Sequence, residues 1–97
     1  MTDKVQEILD ILQEECGELV VAASKVRRFG IDNAKPNTDY NNREHLEEEL
    51  GDLLAMVDIM LDQKVIDLNK LETAKVNKIE KLKKWSNIFT EETNEQN

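Results

Sequence analysis

The chain has 97 residues and a formal net charge of −8, which argues against binding to a nucleic-acid polymer through basic phosphate contacts. Its length fits one domain whose modest core would gain burial by oligomerisation, and 4% aromatic residues suit a core of aliphatic side chains. No stretch approaches the ~18 apolar residues of a membrane span, and the first ten residues lack a basic region before an apolar run, so we expect a cytoplasmic protein without a membrane partner.

Apolar residues recur at helical spacing in three segments, and no segment alternates like a strand, which predicts an all-α fold. The first predicted helix spans residues 5–29. Thr2 or Asp3 can cap its first turn, and Gly30 is placed to end it. A loop rich in asparagine follows at residues 31–42.

Two further helices follow this loop. The second is predicted at residues 43–63 and the third at residues 68–85, with Asp67 as the cap of the third. Residues 86–97 are mostly polar, and we expect them to form a disordered tail beyond a helical domain at 1–85. Three helices make an incomplete bundle, so we expect a homodimer or a homotetramer to complete it.

Two acidic residues interrupt the apolar faces of the first two helices. At about 100° per residue, Glu15 falls inside the apolar arc of the first helix and Glu49 inside that of the second. The first arc consists of Ile8, Leu12, Leu19, Ala22 and Val26, and the second of Leu46, Leu53, Met56, Val57 and Met60. Glu18 and Asp52, each three residues further on, sit at the edges of the same arcs. Carboxylates are costly to bury unless a metal, a cation or a proton offsets their charge.

The two acidic pairs predict a cation site built from oxygen ligands. Side chains three residues apart project from the same side of a helix, so two packed helices can gather four carboxylates. Mg²⁺ would balance their charge, since it favours octahedral oxygen coordination and commonly bridges to substrate phosphates; Mn²⁺ is the alternative ion. One histidine and one cysteine are too few for a structural zinc site. The competing interpretation is that these carboxylates belong to the solvated faces of acidic helices.

Two lysines interrupt the apolar stripe of the third helix. Lys75 and Lys78 share three-four spacing with Leu68, Leu71, Leu82 and Trp85. Each lysine can lay its stem on apolar surface and keep its ammonium in water. The functional interpretation is that the ammonium meets a phosphate or offsets the carboxylates.

Structural roles explain Cys16, His45 and Trp85 without a part in binding or catalysis. We expect Cys16 to be a small core residue, since it occupies an apolar helix position. We expect His45 to be a surface or first-turn residue at the start of the second helix rather than a metal ligand. Trp85 is expected to pack against the rest of the chain.

The segments EECGEL at 14–19 and EELGDLL at 48–54 resemble the two signatures of the MazG-like all-α nucleoside triphosphate pyrophosphohydrolases. The pattern of that family is Glu-x-x-Glu, a spacer, and then Glu-x-x-Asp. The resemblance covers roughly residues 5–85. It implies cleavage of a nucleoside triphosphate between the α- and β-phosphates, which gives a nucleoside monophosphate and pyrophosphate.

The resemblance also implies roles for the acidic residues. Glu15, Glu18, Glu49 and Asp52 match the positions that bind Mg²⁺ in the family. Either Glu15 or Glu18 would then act as the base that activates the attacking water.

The resemblance implies the substrate-binding residues less directly than the metal ligands. Related enzymes place a lysine near the phosphates on the helix after the second motif, where Lys75 is the first match and Lys78 the second. Arg28, near the end of the first helix, is a further candidate. Phe29, Tyr40 and Trp85 could stack on a base. Asn33, Asn37 and Asn41 could read a base edge, although turn chemistry explains these asparagines equally well.

Two other functions stay open. A noncatalytic regulator with this fold would bind a metal or a nucleotide without turnover. A structural interaction module would instead pair its carboxylates with Lys75 and Lys78. The intact set of four acidic residues favours the enzyme over the regulator.

Overall fold

A computed structural model of the chain describes residues 1–90. It contains three α-helices, which we name α1 (Asp3–Phe29), α2 (Asn42–Asp62) and α3 (Leu68–Trp85). The prediction of an all-α fold is confirmed for this part of the chain. Each helix begins and ends within two residues of its predicted position.

The chain divides into two compact units, one of residues 1–65 and one that begins at residue 66. The separation of a helical domain at 1–85 from a tail at 86–97 stays a prediction. Residues 91–97 of that tail lie outside the described residues. No helix within residues 1–90 combines the length and the apolar character that crossing a membrane requires.

Both ends of α1 are capped as predicted. The side-chain oxygen of Thr2 accepts a hydrogen bond from the Val5 N–H at 3.2 Å. At the other end, Gly30 adopts φ 98° and ψ 146°, and its N–H donates to the Val26 carbonyl at 3.0 Å. Residues that carry a Cβ rarely adopt this backbone conformation, so the glycine itself ends the helix.

The starts of α2 and α3 are capped by side chains as well. Asn41 and Glu44 form a reciprocal capping box, in which each side chain accepts from the backbone N–H of the other, at 2.9 Å and 3.1 Å. The Asp67 carboxylate accepts from the Lys70 N–H at 2.9 Å, as predicted. The cap of α2 fixes where that helix begins and therefore which way its acidic motif points.

The core of the first unit lies between α1 and α2. Its fully buried side chains are Ile8, Ala22, Met56 and Met60. The other members of the two predicted arcs are half-buried, namely Leu12, Leu19, Val26, Leu46, Leu53 and Val57. Full burial of a methionine or isoleucine side chain contributes about 1.5–3 kcal/mol. The predicted apolar arcs are confirmed.

The loop between α1 and α2 is tied to the start of α2 by backbone hydrogen bonds. Two of them run from Asn42 N to Asn33 O at 2.9 Å and from Arg43 N to Ile31 O at 2.8 Å, and a third, from Lys35 N to Tyr40 O at 3.1 Å, closes the loop on itself. The Asn42 side chain also donates to the Gly30 carbonyl at 2.9 Å. The loop therefore has a defined shape and meets α1 and α2 at fixed points.

The second unit is built on α3, which has no buried residue. Leu71 and Leu82 are half-buried, whereas Trp85 is 78% exposed. The expectation that Trp85 packs against the chain is therefore wrong. Lys75 forms an exposed ion pair with Glu72 on the same helix at 3.2 Å.

Replacing Gly30 with alanine is expected to lower the free energy of unfolding by about 1–3 kcal/mol, because of its backbone conformation. Gly17→Ala is the matched control inside α1, where an added Cβ would meet no atom within 4 Å. That change should raise stability by up to about 1 kcal/mol, because alanine favours a helix interior. Urea unfolding followed by circular dichroism measures both. Equal effects of the two changes would contradict the assigned end of α1.

Candidate metal centre

Three carboxylates converge where α1 packs against α2. Glu15 on α1 and Glu49 and Asp52 on α2 each offer one oxygen within 4.8 Å of the other two. Glu49 and Asp52 leave α2 on the same side because they lie three residues apart. Glu15 and Glu49 are half-buried, and Asp52 is exposed. We call these three residues the carboxylate centre.

The centre is electrostatically unfavourable without a positive partner. Loss of hydration is the largest effect that raises the pKa of Glu15 above its ordinary value. The charges of Asp52 and Glu49 raise the pKa of Glu15 further, and those of Glu14 and Glu18 add smaller effects. All of these effects oppose the ionised carboxylate. A bound cation would instead favour the ionised carboxylate.

Glu18, the fourth predicted ligand, lies at the margin of the centre. It is exposed on α1, one turn beyond Glu15. Within the described residues, it is not among the carboxylates whose oxygens converge within 4.8 Å. It is still close enough for its charge to contribute to the raised pKa of Glu15. Its role as a ligand stays a prediction.

His45 supports the centre from α2. Its Nε2 lies 3.3 Å from an oxygen of Glu49, and the two side chains are only 17% and 13% exposed. Such a contact fixes the direction of a carboxylate that binds metal. His45 lies in the first turn of α2, as predicted, but its contact with Glu49 was not predicted. The contact could have been predicted from the spacing, because His45 lies four residues before Glu49 and side chains four residues apart on a helix are neighbours.

Tyr40 extends the same set of contacts into the loop. Its hydroxyl donates to the Glu48 carboxylate, and its ring centroid lies 6.0 Å from that of His45. The hydrogen bond to Glu48 is the main reason that the pKa of Tyr40 is raised to about 12. The loop is thereby fixed beside the helix turn that carries Glu49.

The predicted phosphate-binding residues are all exposed. Arg28 lies in the last turn of α1, with its guanidinium carbon 4.9 Å from the centroid of the Phe29 ring. Lys75 and Lys78 lie on α3, in the second unit. Their role towards a phosphate stays a prediction.

Cys16 corrects one expectation, because it is exposed rather than part of the core. It follows Glu15 directly and therefore points about 100° away from it around α1. That direction lies outside the narrow stripe that α2 covers.

The donor set of the carboxylate centre fits a hard divalent cation. Carboxylate oxygens are the ligands that Mg²⁺ and Mn²⁺ prefer, whereas zinc sites favour histidine and cysteine. Three converging carboxylates also leave coordination positions for water and phosphate oxygens, which Mg²⁺ commonly retains. Glu15, Glu49 and Asp52 would hold the ion.

Most of the chain matches the model of a known protein family. The family model for the MazG nucleotide pyrophosphohydrolase domain matches residues 3–86, a span that includes all three helices. The chain therefore belongs to the MazG family of nucleotide pyrophosphohydrolases, and the resemblance found in its motifs is confirmed. No curated protein sequence and no solved structure matches the chain.

Removing the charge of Glu15 tests the centre through stability. In the presence of EDTA, Glu15→Gln is expected to raise the melting temperature by a few degrees, because it relieves repulsion from Glu49 and Asp52. Millimolar Mg²⁺ should raise the melting temperature of the wild type but not that of the variant. Glu7→Gln, at an exposed position of α1, should keep the response to Mg²⁺. An unchanged wild-type melting temperature would contradict the site.

The raised pKa of Tyr40 predicts that the stability of the protein changes with pH in the alkaline range. A raised pKa means that its stabilising contribution is complete below about pH 10 and is lost as the pH rises through about 12. The stability difference between the wild type and Tyr40→Phe should therefore shrink over this range in urea unfolding. Because Tyr40 is the single tyrosine, the ultraviolet absorbance of tyrosinate reports its pKa directly. Titration of Tyr40 near pH 10 would contradict the hydrogen bond to Glu48.

Proposed function

We propose that this chain is a Mg²⁺-dependent nucleoside triphosphate pyrophosphohydrolase, which releases a nucleoside monophosphate and pyrophosphate. The observation that supports this proposal is the convergence of Glu15, Glu49 and Asp52 in a chain of the MazG family. A nucleotide is an anion, so it needs a cation to approach an acidic centre. Mn²⁺ is the alternative metal.

The residues of the centre have separate roles in this proposal. Glu15, Glu49 and Asp52 hold the metal, with Glu18 as a fourth ligand or a neighbour. When bound, the metal neutralises phosphate charge and lowers the pKa of a coordinated water. The proton of the attacking water passes to Glu15 or Glu18. We favour Glu18, since it is exposed and stands outside the three converging oxygens.

We infer that His45 positions Glu49 for metal binding. Its contact at 3.3 Å, between two largely shielded side chains, restricts the carboxylate to one direction. A carboxylate that is already oriented loses less conformational freedom when the metal binds.

We infer that Lys75, Lys78 and Arg28 supply positive charge to the phosphates. Lys75 pairs with Glu72, but both side chains are more than half exposed. Exposed pairs of this kind contribute little, typically 0–1 kcal/mol, so Lys75 can exchange its partner for a phosphate. Arg28 is exposed at the end of α1 and can do the same.

We propose that the active form is a homodimer or a homotetramer in the cytoplasm. Large apolar side chains are exposed on each helix, among them Val20 (69%), Leu54 (60%) and Val76 (58%). A second copy that covers them would enlarge the small core of a single chain.

The reaction can be tested with a panel of ribo- and deoxyribonucleoside triphosphates and Mg²⁺, scored separately for pyrophosphate and orthophosphate. We expect pyrophosphate and a monophosphate. Glu49→Gln should lower turnover more than roughly 100-fold, the upper end for groups that only support a metal ligand. Glu47→Gln is the matched control, since Glu47 is exposed on the same helix. Equal activity of the two variants would remove Glu49 from the ligand set. Nucleotide binding without either product would instead support the noncatalytic regulator.

A further inference from the structure

A cavity lies beside the carboxylate centre in the first unit. It has a volume of about 250 Å³ and lies between the end of α1, the loop and the start of α2. The lining includes Lys25, Phe29, Asn33, Lys35, Tyr40 and His45. We call it the loop groove. Its lining combines aromatic rings, amide groups and positive charges, which is unlike the acidic centre.

We propose that the loop groove binds the base and sugar of a nucleotide whose phosphates meet the carboxylate centre. This inference rests on the proposed function, because it assigns the part of the substrate that the centre leaves unbound. The volume lies just below the roughly 300–1,000 Å³ of pockets that enclose drug-sized ligands. The groove therefore suits a nucleoside better than a whole triphosphate.

The order of residues along both helices supports this placement. On α1, Lys25 follows Glu15 by ten residues, which is about 15 Å, and Phe29 follows one turn later. On α2, His45 lines the groove and also contacts Glu49 of the centre. A ligand that extends along the two helices thus meets the carboxylates, then Lys25 and His45, and then Phe29. This is the order of phosphates, sugar and base.

Two aromatic side chains line the groove. Phe29 lines it and is 54% exposed, with the Arg28 guanidinium above its ring. Tyr40 is held in place by Glu48 and by contact with His45. Any base can stack on such rings, since every base has a π-face.

Polar groups supply the charge and the hydrogen bonds that a nucleotide needs. The amide of Asn33 can both donate to and accept from a base edge. Five of the seven basic residues within positions 1–65 lie between positions 25 and 43, against two acidic residues there. The segment from position 25 to position 43 is therefore positively charged in an acidic chain, which favours the approach of an anionic ligand.

Substitution of Phe29 tests the role of the groove in turnover. Phe29→Ala should raise KM for nucleoside triphosphates roughly tenfold, the scale of one base stacking on an aromatic ring, with a smaller change in kcat. Phe89→Ala is the matched control, because Phe89 is 51% exposed and does not line the groove. Equal KM values for the two variants and the wild type would overturn the proposal.

A binding experiment tests the groove without turnover. Nucleoside 5′-monophosphates and ribose 5-phosphate are added separately to ¹⁵N-labelled protein with Mg²⁺, and the amide signals of Phe29, Asn33 and Tyr40 are followed. We expect the nucleotides to shift these signals and the base-free sugar phosphate not to. Phe29→Ala should remove the shifts at Asn33 and Tyr40, and Phe89→Ala should keep them. Equal shifts with both kinds of ligand, or none with either, would overturn the proposal.

The two proposals fail in different ways. If the wild type releases no pyrophosphate but nucleotides still shift the groove signals, the reaction is refuted and the groove stands. If pyrophosphate is released while these signals do not move, the reaction stands and the groove is refuted.

Discussion

Repulsion among Glu15, Glu49 and Asp52 is built into the packing of α1 against α2. The apolar arcs hold these helices together, and the same packing brings three carboxylate oxygens within 4.8 Å of one another. Partial loss of hydration and the neighbouring charges both oppose ionisation of Glu15, which raises its pKa. A fold that keeps such a cluster gains from any divalent cation that binds it, so metal binding and stability are linked.

The positions of the helices and of the apolar arcs could be predicted from the sequence, because they depend on local patterns. Thr2, Gly30 and Asp67 cap or end their helices through hydrogen bonds to residues three or four positions away. Glu15 and Glu49 were singled out because they interrupt the apolar spacing, and both are half-buried.

Contacts between distant parts of the chain could not be predicted in this way. The loop groove depends on hydrogen bonds such as that from Asn42 to the Asn33 carbonyl, which periodicity does not reveal. Cys16 is exposed because α2 covers only part of the surface of α1, and the sequence does not show how large that part is. Trp85 is exposed because apolar spacing along α3 shows only that the residue could be buried, not what would cover it.

The proposed binding of a divalent cation at the carboxylate centre is tested most directly with a paramagnetic ion. Substoichiometric Mn²⁺ is added to ¹⁵N-labelled protein, and the broadening of each amide signal is measured. We expect broadening centred on Glu15, Glu49 and Asp52, with reversal by excess Mg²⁺. Broadening spread evenly over exposed acidic residues such as Asp10 and Asp58 would contradict a defined metal centre.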